Sequence, residues 1–100
     1  MLELRPNCER CDRDLPPQAE ARICSYECTF CPECADVLQN VCPNCGGGFV
    51  PRPIRPRTAW REGTGLGHDP PGTRRRSLGS TAQEIDELVA RLCDVDPADR

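Results

Sequence analysis

Apolar residues recur with a helical period over one long stretch of the chain. Ile85, Leu88, Val89 and Leu92 fall at i, i+3, i+4 and i+7 on an otherwise acidic segment, which predicts an amphipathic helix over 80–95. Thr81 or Ser80 can cap it, with Glu84 or Gln83 as the return partner of a capping box. A shorter, two-turn helix is expected from Cys31 to Asn40. There Pro32 suits the first helical position, Glu33 the positive end of the dipole and Asn40 a left-handed stop. Val37, Leu38 and Val41 would face the cysteines on either side, and Tyr26 and Phe30 flank Cys28 as apolar lids or core filling. Leu2 and Leu4 alternate with charged neighbours as a short strand, and Asp12 to Pro17 reads as a turn into extended chain. From 51 to 79, five Pro and five Gly break every period, so this part is expected to be a disordered linker. The pattern divides the chain into a module at 1–50, a linker at 51–79, a helix at 80–95 and a tail at 96–100.

A chain of 100 residues with 4% aromatics has little with which to build a core, and a short compact segment of this kind needs disulfides, a metal or a partner. Nine cysteines supply the means. Six lie between Cys24 and Cys45 as C-x3-C-x2-C-x2-C-x7-C-x2-C, and Cys8 and Cys11 precede them. Metal is favoured over disulfides because the count is odd and two thiolates of one Cys-x2-Cys turn can grip one ion. No basic segment followed by an apolar run opens the sequence, so no signal peptide is expected. No run of about 18 apolar residues suggests a membrane span. A reducing, cytoplasmic location is the expectation. Cys93 lies apart, on the apolar side of the long helix, and reads as a small apolar residue.

The net charge of -3 conceals a segregation: residues 1–50 carry -4, residues 51–76 carry +5 and residues 77–100 carry -4. Arg52, Arg55, Arg57 and Arg61, with Trp60 among them, could contact phosphates while the indole stacks on a base. An intramolecular use is equally available, because four thiolates around one Zn2+ carry about -2, so the arginines can lie against their own module. His68 stands far from any ligand pair and is expected in solvent. Arg74-Arg75-Arg76-Ser77-Leu78 would suit a basophilic kinase, a short and frequent motif.

Eight thiolates fill two closed four-cysteine zinc sites. Sequential filling would join Cys8 and Cys11 to Cys24 and Cys28, whereas interleaved filling skips a pair each time. Interleaving is favoured physically, since each metal then closes a loop through the other and a chain with little core becomes one cooperative unit. The array also resembles a RING finger, with Cys28-Thr29-Phe30-Cys31 at its H-x-F-C step and Cys42-Pro43-Asn44-Cys45 as its last pair. That resemblance implies a treble-clef, cross-braced two-zinc module with a short helix and a hairpin. One site would be Cys8, Cys11, Cys31 and Cys34, and the other Cys24, Cys28, Cys42 and Cys45. RING ubiquitin ligases carry an apolar residue after the first cysteine and an aromatic in the later groove. Here Glu9 and a seven-residue spacer without aromatics take those places. The ligand pattern transfers and the ligase activity does not.

Residues 1–57 are also similar to a family of short, cysteine-rich bacterial proteins of unknown function. Met1 to Cys8, Cys11 to Pro17, Ile23 to Cys31 and Val41 to Gly47 carry that similarity, and it implies no activity. A radical SAM signature can be traced through Cys24, Cys28 and Cys31, but the chain is too short for the barrel such enzymes need. An iron-sulfur centre shares the same tetrahedral thiolate ligation. With no paired carboxylates and no nucleophile beside a base, the chain reads as a non-enzymatic, zinc-binding interaction module. The stripe Ile85, Leu88, Val89 and Leu92 would meet an unidentified protein partner. Two other classes stay open: a nucleic-acid accessory protein using Arg52, Arg55, Arg57, Trp60 and Arg61, and a zinc-thiolate redox sensor.

Overall fold

In the computed structural model, which describes residues 1–100, the first ordered feature is a tight turn. The Cys8 amide donates to the Arg13 carbonyl at 2.8 Å and the Asp12 amide to the Cys8 carbonyl at 2.9 Å. Asp12 takes a left-handed φ of 65°, a conformation that Asp tolerates better than most residues. A bridge from Asn7 to Asp14 closes the turn, so Cys8 and Cys11 leave it side by side.

The sheet is small because each strand is only two residues long. β1 (Arg22–Ile23) pairs antiparallel with β2 (Thr29–Phe30), and β3 (Val50–Pro51) pairs antiparallel with the other edge of β1. Pro51 has no amide hydrogen and stands on an edge strand, where that costs least. The loop between β1 and β2 carries Cys24 and Cys28, with Glu27 at φ 67° making its turn. Tyr26 sits at the tip of this loop, 70% exposed, and is no lid. Phe30 is buried and tilts against Phe49, with ring centroids 5.2 Å apart.

α1 (Pro32–Val37) starts where Pro32 and the Cys31 cap dictate, and ends sooner than the two turns expected. Gln39 and Asn40 both take positive φ, 50° and 61°. Leu38 and Val41 are buried, while Val37 is exposed; it lies about 100° round the helix from Leu38. Cys8, Cys24, Cys28, Cys31, Cys34 and Cys42 make up half of the twelve residues in the hydrophobic cluster. The integrity of that core therefore depends on what its sulfurs bind.

α2 (Ala82–Leu92) forms with the expected capping box between Thr81 and Glu84. Val89 joins the central cluster, and Ile85, Leu88, Leu92 and Cys93 pack against it. The stripe expected to meet another protein is thus covered by the chain's own module. An isolated helix of this length is marginal in water, and the nearest apolar surface is the one it covers. A 3-10 turn at Pro97–Asp99 follows. The Arg100 guanidinium then donates to the carbonyls of Asn40 and Gly46, at 2.8 and 2.9 Å.

Residues 52–81 carry no helix or strand, in keeping with their composition, yet they do not stand free of the module. Arg52 is 3% exposed and donates to the carbonyls of Arg5, Leu15 and Pro16. Arg55 bridges the carbonyls of Leu2 and Asp69. Residues 56–69 close on themselves through the Leu66 amide on the Pro56 carbonyl at 2.9 Å. Gly65 makes that closure possible at φ 87°, where a side chain would meet the Thr58 carbonyl. The next residues run as a strap across the amino-terminal segment, with the Gly72 amide on the Leu4 carbonyl and the Leu78 amide on the Glu9 carbonyl. Composition alone misses this, because the bonds come from arginines reaching carbonyls and from one asparagine, which have no period.

Candidate metal centre

The sulfurs of Cys8, Cys11, Cys31 and Cys34 lie within 4.8 Å of one another, and so do those of Cys24, Cys28 and Cys42. The two groups alternate along the chain, so the structure brings the cysteines together in the interleaved order. Cys11 and Cys31 Sγ are 3.8 Å apart. A tetrahedral zinc with Zn–S bonds of about 2.3 Å separates its ligand sulfurs by about 3.8 Å, so this donor set fits such an ion. Cys45, expected as the eighth ligand, falls outside the second group. It is exposed and its sulfur accepts the Gly47 amide at 3.4 Å. The turn that carries it is nonetheless built: the Gly46 amide reaches the Cys42 carbonyl at 2.7 Å, and Gly46 takes φ 79°.

Each grouped thiol is held by an element with a local reason to be there. Cys31 caps α1, its sulfur accepting the Cys34 amide at 3.4 Å. The Tyr26 amide points at Cys24 Sγ, at 3.3 Å, and Arg10 donates to Cys34 Sγ at 3.5 Å. Such donors favour the thiolate form. Burial works against them, pushing the thiols of Cys28, Cys34 and Cys42 up and that of Cys31 to about 12. Only Cys11 goes down, chiefly because the Arg13 backbone amide bonds to it. Four thiolates cannot share one small volume without a cation, so metal ligation and proton release are coupled.

That coupling sets a pH dependence. Thiols whose ordinary values are raised are protonated near neutrality in the metal-free fold, so each gives up a proton when metal binds. Affinity should fall as pH falls, by about tenfold per pH unit for each proton displaced. Competition against a chromophoric chelator at pH 6, 7 and 8 measures it. An affinity independent of pH would show that these thiols are not the ligands.

A polar layer backs the centre, and sequence reasoning passed over most of it. Glu9, between the first two cysteines, is 5% exposed. Its carboxylate accepts from Arg5 at 3.0 Å and from the Thr29 amide, tying the first cysteine turn to β2. Burial is the largest single influence and would lower Arg5, but Glu9, Cys28 and Glu3 together outweigh it and Arg5 is raised. Arg5 and Glu9 stand four residues apart, yet no helix is there to make that spacing a signal. Asn7 is fully buried and bonded to the Cys8 and Arg76 carbonyls and to Asp12.

The five residues expected at a nucleic acid divide. Arg52 and Arg55 are taken up by backbone carbonyls, and burial pulls Arg52 below the usual guanidinium value. Arg57, Trp60 and Arg61 are exposed, with Trp60 at 74%. His68 is exposed, and Cys93 ends α2 away from both sulfur groups. No helix is long and apolar enough to cross a membrane.

The family described as protein of unknown function (DUF1272) matches residues 1–55, which include every grouped cysteine and Cys45. An uncharacterised protein of Rhizobium meliloti (strain 1021), R02474, is 64% identical over 58 residues, covering 56% of this chain and 69% of that protein. No solved structure matches the chain.

Proposed function

The chain belongs to the DUF1272 family, and from the alternating sulfur groups of its family segment we propose a non-enzymatic, zinc-binding protein-interaction module with a RING-like, treble-clef cross-brace. The observation that carries this reading is the pairing of Cys8 and Cys11 with Cys31 and Cys34 across the intervening Cys24 and Cys28. Cys8, Cys11, Cys31 and Cys34 would hold one Zn2+. Cys24, Cys28 and Cys42 would hold the other, with Cys45 completing the tetrahedron by turning from its exposed position. Metal there supplies folding energy to a core that is half thiol. Both sites would be closed by protein sulfur, the arrangement of structural rather than catalytic zinc.

The test is metal content and visible absorption of protein purified without oxygen. Two zinc per chain and no colour are expected. Iron with the brown colour of a thiolate-bound cluster would replace this reading with electron transfer or iron sensing.

A redox-sensing role is the second reading, favoured by the exposed Cys11 lying 3.8 Å from the Cys31 sulfur. Peroxide would oxidise this pair of metal-bound thiolates to a disulfide, the peroxide taking their two electrons and two protons from solvent to leave as two waters, and the metal ion would be released. Zinc retained through a mild peroxide challenge refutes it. A nucleic-acid role keeps only Arg57, Trp60 and Arg61 of its five residues and ranks behind both.

A further inference from the structure

The strap over residues 72–78 lies on the module as a bound peptide lies on a receptor. Its main chain is held by the Leu4 and Glu9 carbonyls, each accepting one strap amide. Between them the buried Asn7 side chain uses both ends of its amide. Its Nδ2 donates to the Arg76 carbonyl at 2.8 Å and its Oδ1 accepts the Arg76 amide at 3.1 Å. These contacts read an extended backbone and no particular sequence.

Side chains add the discrimination. Arg75 reaches Asp14 at 2.6 Å and Asp12 at 2.9 Å, and Arg76 reaches Glu3 at 3.0 Å. Two residues further, Leu78 packs on the central cluster. Main-chain bonds for affinity with side-chain pockets for specificity is a recurring mode of peptide recognition. Every residue that hydrogen-bonds or ion-pairs with the strap lies within the family-matched 1–55, and the strap lies outside it.

We propose that this groove is a binding site for an extended peptide with two successive arginines and a leucine two residues after the second. The chain's own residues 72–78 fill it in cis. The inference names a partner class for the interaction-module reading, which it rests on, but none of the residues that hydrogen-bond or ion-pair with the strap is a cysteine. The ion pairs on Arg75 are half exposed, and each such pair is individually weak. The strap can therefore exchange with a competing segment of the same chemistry.

The test uses the full-length R75E/R76E chain, whose strap is repelled by Asp12, Asp14 and Glu3, and a fluorescent peptide of residues 71–79. Anisotropy should show the peptide binding this variant at least tenfold more tightly than the wild-type chain, whose tethered strap competes at about millimolar effective concentration. A peptide with alanine at both arginines should bind at least tenfold more weakly, and added salt should weaken the arginine peptide. The single variant R75A should shift affinity in the same direction, which guards against a folding defect in the double variant. Metal is assayed on the same samples. If variants that keep their metal bind no peptide, or bind the alanine peptide equally well, the groove proposal fails and the zinc module stands. If wild-type protein holds no metal, the module reading fails and the peptide comparison still decides the groove.

Discussion

A C31A chain is expected to lose both metals, not one, and to unfold. Cys31 belongs to the first sulfur group and is also the cap of α1, while Cys24 and Cys42 of the second group lie on either side of it in sequence. Structural zinc in small domains contributes roughly 10 to 16 kcal/mol per site near neutral pH, as much as the whole stability of a typical domain. A core that is half cysteine has nothing comparable to replace it. Zinc per chain should therefore fall well below one, with loss of the amide dispersion of a folded protein. If the sites were filled sequentially and independently, C31A would keep one zinc on Cys8, Cys11, Cys24 and Cys28 and remain partly folded. That single retained zinc is the result that would sink the cross-brace.

The second large effect concerns a residue that is no ligand. E9A should cost about 2 to 3 kcal/mol while leaving two zinc per chain, because it leaves Arg5 only the more exposed Glu3 carboxylate and the Tyr26 carbonyl and leaves the Thr29 amide without its acceptor. E9Q should fall between, since a glutamine oxygen can still take the Thr29 amide but offers Arg5 no charge. Denaturant midpoints of the zinc-loaded proteins measure both. An E9A midpoint equal to that of the wild-type chain would mean that the Arg5–Glu9 pair contributes nothing net.

What was legible in the sequence follows from how local each signal is. The first three cysteine pairs, the Cys31-Pro32 helix start and the Thr81 capping box are set by residues within a few positions of one another, and all three are found. The destination of the α2 stripe was not legible. An apolar face at i, i+3, i+4 and i+7 says that something must cover it, not what. Val37 and Tyr26 failed for a related reason: apolar character gives a tendency to bury, and a position off the inward helix face or at a loop tip overrides it.

The polar layer was the least visible. Glu9 broke the RING-like pattern and was read as a missing contact surface, whereas it is the buried acceptor that joins two cysteine turns. Arg52 looked like a phosphate contact because arginine in a Pro-rich run is usually solvated. Its burial depends on three carbonyls brought together by residues 36 to 47 positions away, a separation at which one sequence carries no pairing signal. Cys45 is a different case, where spacing marks a ligand and the sulfur lies outside the second group.

The alternation of the two sulfur groups also bears on how the chain is made. A ribosome delivers residues in order, and Cys24 and Cys28 emerge before Cys31 and Cys34. The first four thiols free to share an ion are thus the wrong four. Under the proposed metal reading, an ion captured at that stage would have to be handed on when the helix carrying Cys34 forms, so folding would include a ligand-exchange step. The strap arrives later, its Arg76 meeting Asn7 from 69 positions downstream, and only α2 and the turn at Pro97–Asp99 follow it.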